Sequence, residues 1–117
     1  MRISVRETEA GVSIFILTGD LDAPGAALLR GDIDRLLDAG GRRLIIDCTG
    51  VGYASSAGIG TLVHLHRRVR ESGGRLLITG TDGHVFEVLS LMNLGSILEL
   101  NADTADALTA LGQTPDT

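Results

Sequence analysis

The chain has 117 residues, the size of one domain, and 44% of them are hydrophobic, so a buried core needs neither a metal nor a disulfide. The net charge of −5 and the presence of just three aromatic residues argue against nucleic acid as a partner. A single cysteine excludes an internal disulfide, and the sequence shows neither a signal peptide nor an apolar run of membrane-spanning length. We therefore expect a cytoplasmic protein without membrane insertion.

The first predicted elements are a β-hairpin and a helix. Residues 2–9 alternate polar and apolar side chains, which is typical of a half-buried strand, and residues 12–17 form a more apolar second strand. Residues 18–22 are predicted to end that strand, with Asp22 as the N-cap of a helix that has Pro24 in its first turn. The apolar face of this helix repeats at helical spacing: Ala26, Leu29, Ile33, Leu36 and Leu37.

The middle of the chain predicts a strand, a helix and a second strand. Residues 44–48 and 76–79 are short, apolar and rich in branched side chains, which indicates buried strands. Between them, apolar or weakly polar residues recur at helical spacing: Ile59, Leu62, Val63, His66 and Val69. Such a unit has parallel strands and a right-handed crossover. Because binding sites in parallel sheets lie beyond the carboxyl ends of the strands, the loop predicted at 51–56 is the place to look for function.

The C-terminal part predicts two helices around a short strand. Thr81-Asp82 is the predicted cap of a third helix, which ends near Asn93 or Gly95 and has an inward face of Val85, Phe86, Leu89 and Met92. Residues 97–100 are the predicted last strand, and a closing helix runs from Asp103 to a stop at Gly112. We expect one domain over residues 1–112, with a mixed sheet that starts as an antiparallel hairpin and continues as parallel βα units. Residues 113–117 are expected to be a flexible tail.

Enzyme chemistry finds little support in the sequence. Neither Ser55 nor Ser56 stands in a G-x-S-x-G motif, and the glycine-rich run before them has Ser55 where a dinucleotide-binding loop has its third glycine. His64 and His66 are two residues apart, so they point to different sides of a helix and cannot form a metal-binding pair. Together with His84 they are expected to be partly exposed helix residues. We expect no catalytic residue, bound cofactor or metal site in this chain.

Two hydroxyl groups stand at the predicted start of the middle helix. One interpretation of Ser55 and Ser56 is a plain N-cap, because serine oxygens accept hydrogen bonds from the free N–H groups of a helix start. The other is that Ser56 is presented for phosphorylation. A phosphate adds about −1.5 to −2 charges, which the positive helix end tolerates and a docked partner surface does not. The residues alone do not decide between these interpretations.

The sequence resembles the STAS domain family, and within it the bacterial anti-sigma factor antagonists. The resemblance covers nearly the whole chain and is most specific in residues 17–22, 44–51 and 55–60. It implies an α/β domain with helices mainly on one side of the sheet and a regulatory, non-enzymatic role. In such proteins the unphosphorylated form binds an anti-sigma factor that is also a serine kinase and thereby frees the sigma factor. Phosphorylation at the position of Ser56 ends this binding and a phosphatase restores it, while ATP and magnesium belong to the kinase.

The resemblance also implies a contact surface, and the chain departs from the family's pattern beside the acceptor serine. Better-known members have an aspartate immediately before the phosphorylated serine and a serine after it, where this chain has Ser55 and Ala57, so Ser55 is the second candidate acceptor. Asp20 and Asp47 are expected at the same sheet edge, as loop hydrogen-bond acceptors or as parts of the recognition surface. The predicted partner-binding residues are Asp20, Asp22, Gly52, Tyr53, Ala54, Ser55, Ser56, Ala57 and Gly58. In the alternative, the domain is a non-switching scaffold subunit of a stress-signalling or lipid-transport complex, and Ser56 is only a helix cap.

Overall fold

The computed structural model describes residues 1–80 and 84–112, with the side chain of Phe86 left out. Within them the chain forms five strands and four helices: β1 Arg2–Glu7, β2 Val12–Leu21, α1 Ala23–Asp38, β3 Arg43–Ala54, α2 Ser56–Glu71, β4 Arg75–Thr79, α3 His84–Leu91, β5 Glu99–Leu100 and α4 Thr104–Ala110. The cap predicted at Thr81-Asp82, the side chain of Phe86 and the tail predicted at 113–117 lie outside the described residues.

The strands form one mixed sheet in the order β1-β2-β3-β4-β5. β1 pairs with β2 in antiparallel register, and the pairs β2–β3, β3–β4 and β4–β5 are parallel. This confirms the predicted hairpin followed by parallel βα units. The carboxyl ends of β2, β3 and β4 therefore meet at one edge of the sheet, where functional sites of parallel sheets usually lie.

The two faces of the sheet are covered unequally. Helices α1, α2 and α3 pack on one face, where the buried side chains include Phe15, Ile33, Ile46, Leu62, Val85 and Leu89. Helix α4 covers the other face through Ala107 and Leu108, which pack on Ile14, Ile45 and Leu77. Neighbouring residues of a strand point to opposite faces, so Ile14 and Phe15 enter different clusters. The expectation of helices mainly on one side is confirmed.

The strands that lead to the predicted site are longer than expected. β2 continues to Leu21 and β3 continues to Ala54. The two extensions pair with each other through register shifts, and Gly52 has no partner residue in β2. The prediction that residues 18–22 end the strand was wrong, as was the prediction of a loop over 51–56. Glycines usually weaken a strand, but here a bulge accommodates the extra residue and the pairing continues.

Other differences from prediction lie at the ends of elements. β1 ends at Glu7, and the last strand is confined to Glu99–Leu100. Met92 was expected to face inward, but it lies beyond the end of α3 and is 48% exposed. Asn93 follows in the left-handed region at φ 57°, which turns the chain out of the helical path and leaves Met92 on the surface. In α2, Leu65 is fully buried, whereas Val63 is half-buried.

Candidate functional site

The hydroxyl of Ser55 is fully engaged in the start of α2. Ser55 is the N-cap residue, and its Oγ accepts a hydrogen bond from the backbone N–H of Gly58 at 3.1 Å. The same hydroxyl donates to the carbonyl oxygen of Leu21 at 3.4 Å, and the backbone N–H of Ser55 donates to that oxygen at 3.0 Å. Ser55 therefore joins the ends of β2 and α2 and meets one of the free donors of the helix start.

Ser56 has the opposite character. It is the first residue of α2 and is exposed. Within the described residues, its hydroxyl has no hydrogen-bond partner. Its position at the helix start lies in the positive field of the macrodipole, which favours a negative group. Of the two predicted hydroxyls, one is used by the fold and the other is available at the surface.

Close backbone contacts hold both helix starts against the end of β2. A Cβ atom on Gly58 would lie 2.0 Å from the carbonyl oxygen of Leu21, a distance that no alanine can adopt without displacement. A Cβ atom on Gly25, in the first turn of α1, would lie 2.7 Å from the carbonyl oxygen of Asp20. Asp22 caps α1 as predicted, because its Oδ1 accepts from the N–H of Gly25 at 3.0 Å. This packing role of the two glycines was not predicted from the sequence.

The predicted contact residues separate into a surface layer and a layer beneath it. Asp20, Gly52, Tyr53, Ser56 and Ala57 are exposed. Asp20 lies beside Tyr53 in the β2–β3 pairing, so these two side chains belong to one edge.

The remaining predicted contact residues support that surface from below. Ala54 and Gly58 are buried, so neither presents a side chain to a partner, in contrast to the expectation for both. Asp22 and Ser55 are half-buried, and each uses its side-chain oxygen as a cap. Their contribution is to fix the backbone on which the exposed residues stand.

An aromatic contact adds α3 to this surface. The rings of Tyr53 and His84 are stacked, with centroids 5.6 Å apart and an angle of 21° between the planes. Tyr53 is 49% exposed, and His84 is the first residue of α3 and is half-buried. His84 was not predicted as a neighbour of the site, because it is distant from Tyr53 in the chain and the two meet only where α3 packs on β3.

The environments of the other two histidines differ sharply. His64 is exposed and His66 is buried, which confirms that they point to different sides of α2. The expectation that all three histidines are partly exposed was wrong for His66, which is 4% exposed. Its spacing with the apolar residues of α2 places it on the inward face. No group of three His, Cys, Asp or Glu side chains within residues 1–80 and 84–112 is arranged to hold a metal ion.

Cys48 and Asp47 occupy the strand that leads to the site. Burial, with a smaller contribution from the charge of Asp47, raises the pKa of the Cys48 thiol to about 12. The thiol is therefore protonated at neutral pH and acts as a small core side chain, as predicted. Asp47 Oδ1 accepts hydrogen bonds from the backbone N–H of Thr49 at 2.9 Å and from its hydroxyl at 2.6 Å. This is the loop hydrogen bonding considered for Asp47.

Comparison with known proteins gives consistent results. A sequence model of the family described as "STAS domain" matches residues 3–107. BtrV of Bordetella bronchiseptica, named as a candidate anti-sigma factor antagonist, is 28% identical over 104 residues, which are 89% of this chain and 89% of BtrV. The anti-sigma-B factor antagonist of Listeria monocytogenes is 27% identical over 100 residues, 86% of each chain.

A solved structure shows the same architecture. The crystal structure of a candidate anti-sigma factor antagonist from Thermotoga maritima matches with a TM-score of 0.86 at 21% identity, covering 95% of both chains. At this identity the likeness shows the fold. Within the described residues, no helix is long and apolar enough to cross a membrane.

Proposed function

Since the chain belongs to the STAS domain family, we propose that it is an anti-sigma factor antagonist switched by phosphorylation of Ser56. In its unphosphorylated form it binds an anti-sigma factor that is a serine kinase, and the sigma factor is released. The kinase, which holds ATP and magnesium, transfers a phosphoryl group to the Ser56 hydroxyl and the complex dissociates. A phosphatase hydrolyses the phosphoserine and restores binding. The names of the curated relatives support the antagonist role.

The observation that carries the choice of acceptor is the difference between two adjacent hydroxyls. A kinase needs a serine oxygen that is exposed and can approach the phosphate donor. Ser56 meets this requirement, being exposed and without a hydrogen-bond partner in the described residues. Ser55 is half-buried, and its hydroxyl accepts a hydrogen bond from Gly58 N–H and donates one to the carbonyl oxygen of Leu21. Phosphorylation of Ser55 would therefore disrupt the start of α2. This supports Ser56 as first choice and Ser55 as second.

The negative charge of phosphorylated Ser56 explains why binding to the kinase ends. A partner that covers the start of α2 must remove water from Ser56 and its neighbours. A phosphoserine carries about −1.5 to −2 charges at neutral pH, and burying such a charge without a matching cation costs several kcal/mol. Complexes between micromolar and nanomolar affinity have about 8 to 12 kcal/mol of binding free energy. The phosphate can therefore abolish the complex while the domain stays folded.

Tyr53 is the proposed anchor of the contact. It is the large aromatic side chain of this surface, and the stacked ring of His84 holds it in one orientation while 49% of it stays exposed. Aromatic side chains at the centre of an interface often provide most of the binding energy. Gly52 and Ala57, which are exposed among the predicted contact residues, add little bulk, so a partner can approach the backbone closely there.

The phosphorylation test uses three chains with one kinase preparation. The natural chain, Ser56→Ala and Ser55→Ala are incubated with a serine-kinase anti-sigma factor from the same organism and ATP, and phosphate is located by mass spectrometry. We expect stoichiometric phosphate on the natural chain and on Ser55→Ala, and none on Ser56→Ala. Ser56→Ala should bind the kinase constitutively, and Ser56→Asp should bind weakly. Stoichiometric phosphate on Ser56→Ala would transfer the assignment to Ser55.

The alternative of a non-switching scaffold has a distinct result in the same assay. No phosphate would be incorporated into any of the three chains, and a pull-down would recover a transporter or a stress-signalling scaffold in place of a kinase. That outcome would refute the switch and leave the fold assignment unchanged.

A further inference from the structure

A second site lies on the far part of α2. An open cleft of about 490 Å³ separates the C-terminal half of this helix from the segment that joins α3 to β5. Val63 and Ile97 give it apolar walls, and Ser96 adds a hydroxyl. Small-molecule sites in proteins have volumes of about 300 to 1,000 Å³ and combine apolar walls with a few polar groups. The nearest residue of the cleft on this helix, Val63, is seven positions from Ser56, about 10 Å along the axis, so the cleft does not include Ser56.

The wall of the cleft contains a buried polar side chain with unmet hydrogen bonds. His66 is 4% exposed, and among the residues that the structure describes neither its Nδ1 nor its Nε2 has a hydrogen-bond partner. A neutral imidazole has one donor and one acceptor, and leaving either unmet away from water costs stability. Most buried polar groups in proteins are satisfied, so an exception of this kind calls for a functional explanation. A ligand in the cleft would supply the missing partner after a rotation of the ring about its broad terminal torsion.

The charges around the cleft favour an anion. Arg67 and Arg70 line it, and within the described residues neither has an ion-pair partner. Glu71 is the carboxylate that lines the same cleft. The carboxylate of Glu99 is held by Arg75 at 2.6 Å, and that hydrogen bond is the main cause of its lowered pKa; His66 and Arg70 also contribute to the lowering, so Glu99 lies near the cleft but is already paired. The cleft therefore has an excess of positive charge, on a chain whose net charge is −5.

We propose that this cleft binds a small amphiphilic carboxylate. The head group pairs with the guanidinium groups of Arg67 and Arg70, whose planar geometry matches a carboxylate, and accepts a hydrogen bond from the ring of His66. The apolar body of the ligand lies against Val63 and Ile97. The proposal does not depend on Ser56 or on a kinase, so it can fail or succeed independently of the proposed switch.

The test is a titration of the ¹⁵N-labelled chain with sodium decanoate, followed by NMR. We expect saturable shifts at millimolar or lower concentration in the backbone amides of Val63, Arg67 and Ser96. Arg70→Gln should weaken binding about tenfold, because a charge-assisted hydrogen bond is lost. Arg30→Gln removes an exposed arginine of α1, outside the cleft, and should leave the affinity unchanged.

Two comparisons make the result specific. Decanol has the same apolar body without the charge and should bind at least about tenfold more weakly than decanoate. His66→Phe removes both orphaned nitrogens, so it should weaken decanoate binding and leave the melting temperature equal or higher. The proposal is overturned if decanoate gives no saturable shift, if decanol binds as well as decanoate, or if Arg70→Gln behaves like Arg30→Gln.

Discussion

Replacement of Gly58 by alanine tests how α2 is held at the sheet edge. The added Cβ would lie 2.0 Å from the carbonyl oxygen of Leu21 and 2.9 Å from its carbonyl carbon. Both atoms belong to the backbone of β2, so no side-chain rotation can relieve the contact. The helix start must move away, and the movement weakens the bonds that Ser55 makes to Leu21 and to residue 58.

The expected loss of stability follows from these contacts. Overpacking a closed site costs about 1–3 kcal/mol, the lost serine cap costs about 1 kcal/mol, and the Leu21–Ser55 backbone hydrogen bond contributes about 1 kcal/mol. The higher helix propensity of alanine returns about 1 kcal/mol. We therefore expect Gly58→Ala to lower the free energy of unfolding by about 2–4 kcal/mol, or the melting temperature by about 8–16 °C for a chain of this length.

The matched control is Gly60→Ala, two residues further along the same helix. Outside its own stretch of helix, a Cβ atom on Gly60 would meet no atom of the described residues within 4 Å, so this variant gains helix propensity without a clash. We expect it to be stabilised by about 0.4–1 kcal/mol. Thermal and urea unfolding followed by circular dichroism measure both variants. Equal stability of Gly58→Ala and Gly60→Ala would refute the close approach of α2 to β2.

Three further predictions concern single side chains. Ser55→Ala should lose about 1 kcal/mol of stability with its cap, while Ser56→Ala should stay within about 0.5 kcal/mol of the natural chain in urea unfolding. The Cys48 thiol, with its pKa raised to about 12, should resist a thiol-specific reagent at pH 8 until the chain is unfolded, and rapid labelling of the folded chain would contradict its burial. The pKa of Glu99 is lowered, mainly by its hydrogen bond from Arg75. This carboxylate therefore stabilises the fold fully above its unfolded-state pKa of about 4.3, and the contribution is lost as the pH falls through the lower folded-state pKa. Glu99→Gln should therefore reduce stability at pH 7 and flatten the acid limb of the stability–pH curve; an unchanged limb would show that the ion pair contributes nothing.

The sequence predicted the elements whose signals are local. The cap at Asp22, the start of the last helix at Asp103 and the buried residues Ile33, Ile46 and Leu77 each depend on signals close together in the chain, and each is confirmed. On α2, the predicted burial of Ile59 and Leu62 is confirmed. These features are set by capping and by hydrophobic periodicity, which a single sequence contains.

The features that were missed depend on contacts between distant residues. Glycines near the end of β3 indicated a turn, yet pairing with β2 extends the strand to Ala54. The buried position of Gly58 under the carbonyl of Leu21 and the stacking of Tyr53 on His84 have no local signature. His66 was predicted to be partly exposed because it is polar, although its helical spacing already placed it on the inward face of α2. Tertiary contact overrides local preference at each of these positions.

The most direct measurement follows one preparation of the natural chain through the phosphorylation cycle. Its affinity for the serine-kinase anti-sigma factor is measured by calorimetry before phosphorylation, after phosphorylation at Ser56 has been verified by mass spectrometry, and after phosphatase treatment. We expect tight binding, then a loss of at least about a hundredfold, then recovery, because several kcal/mol separate the two charge states. Equal affinity of the phosphorylated and unphosphorylated chains would contradict a charge-operated switch at the start of α2.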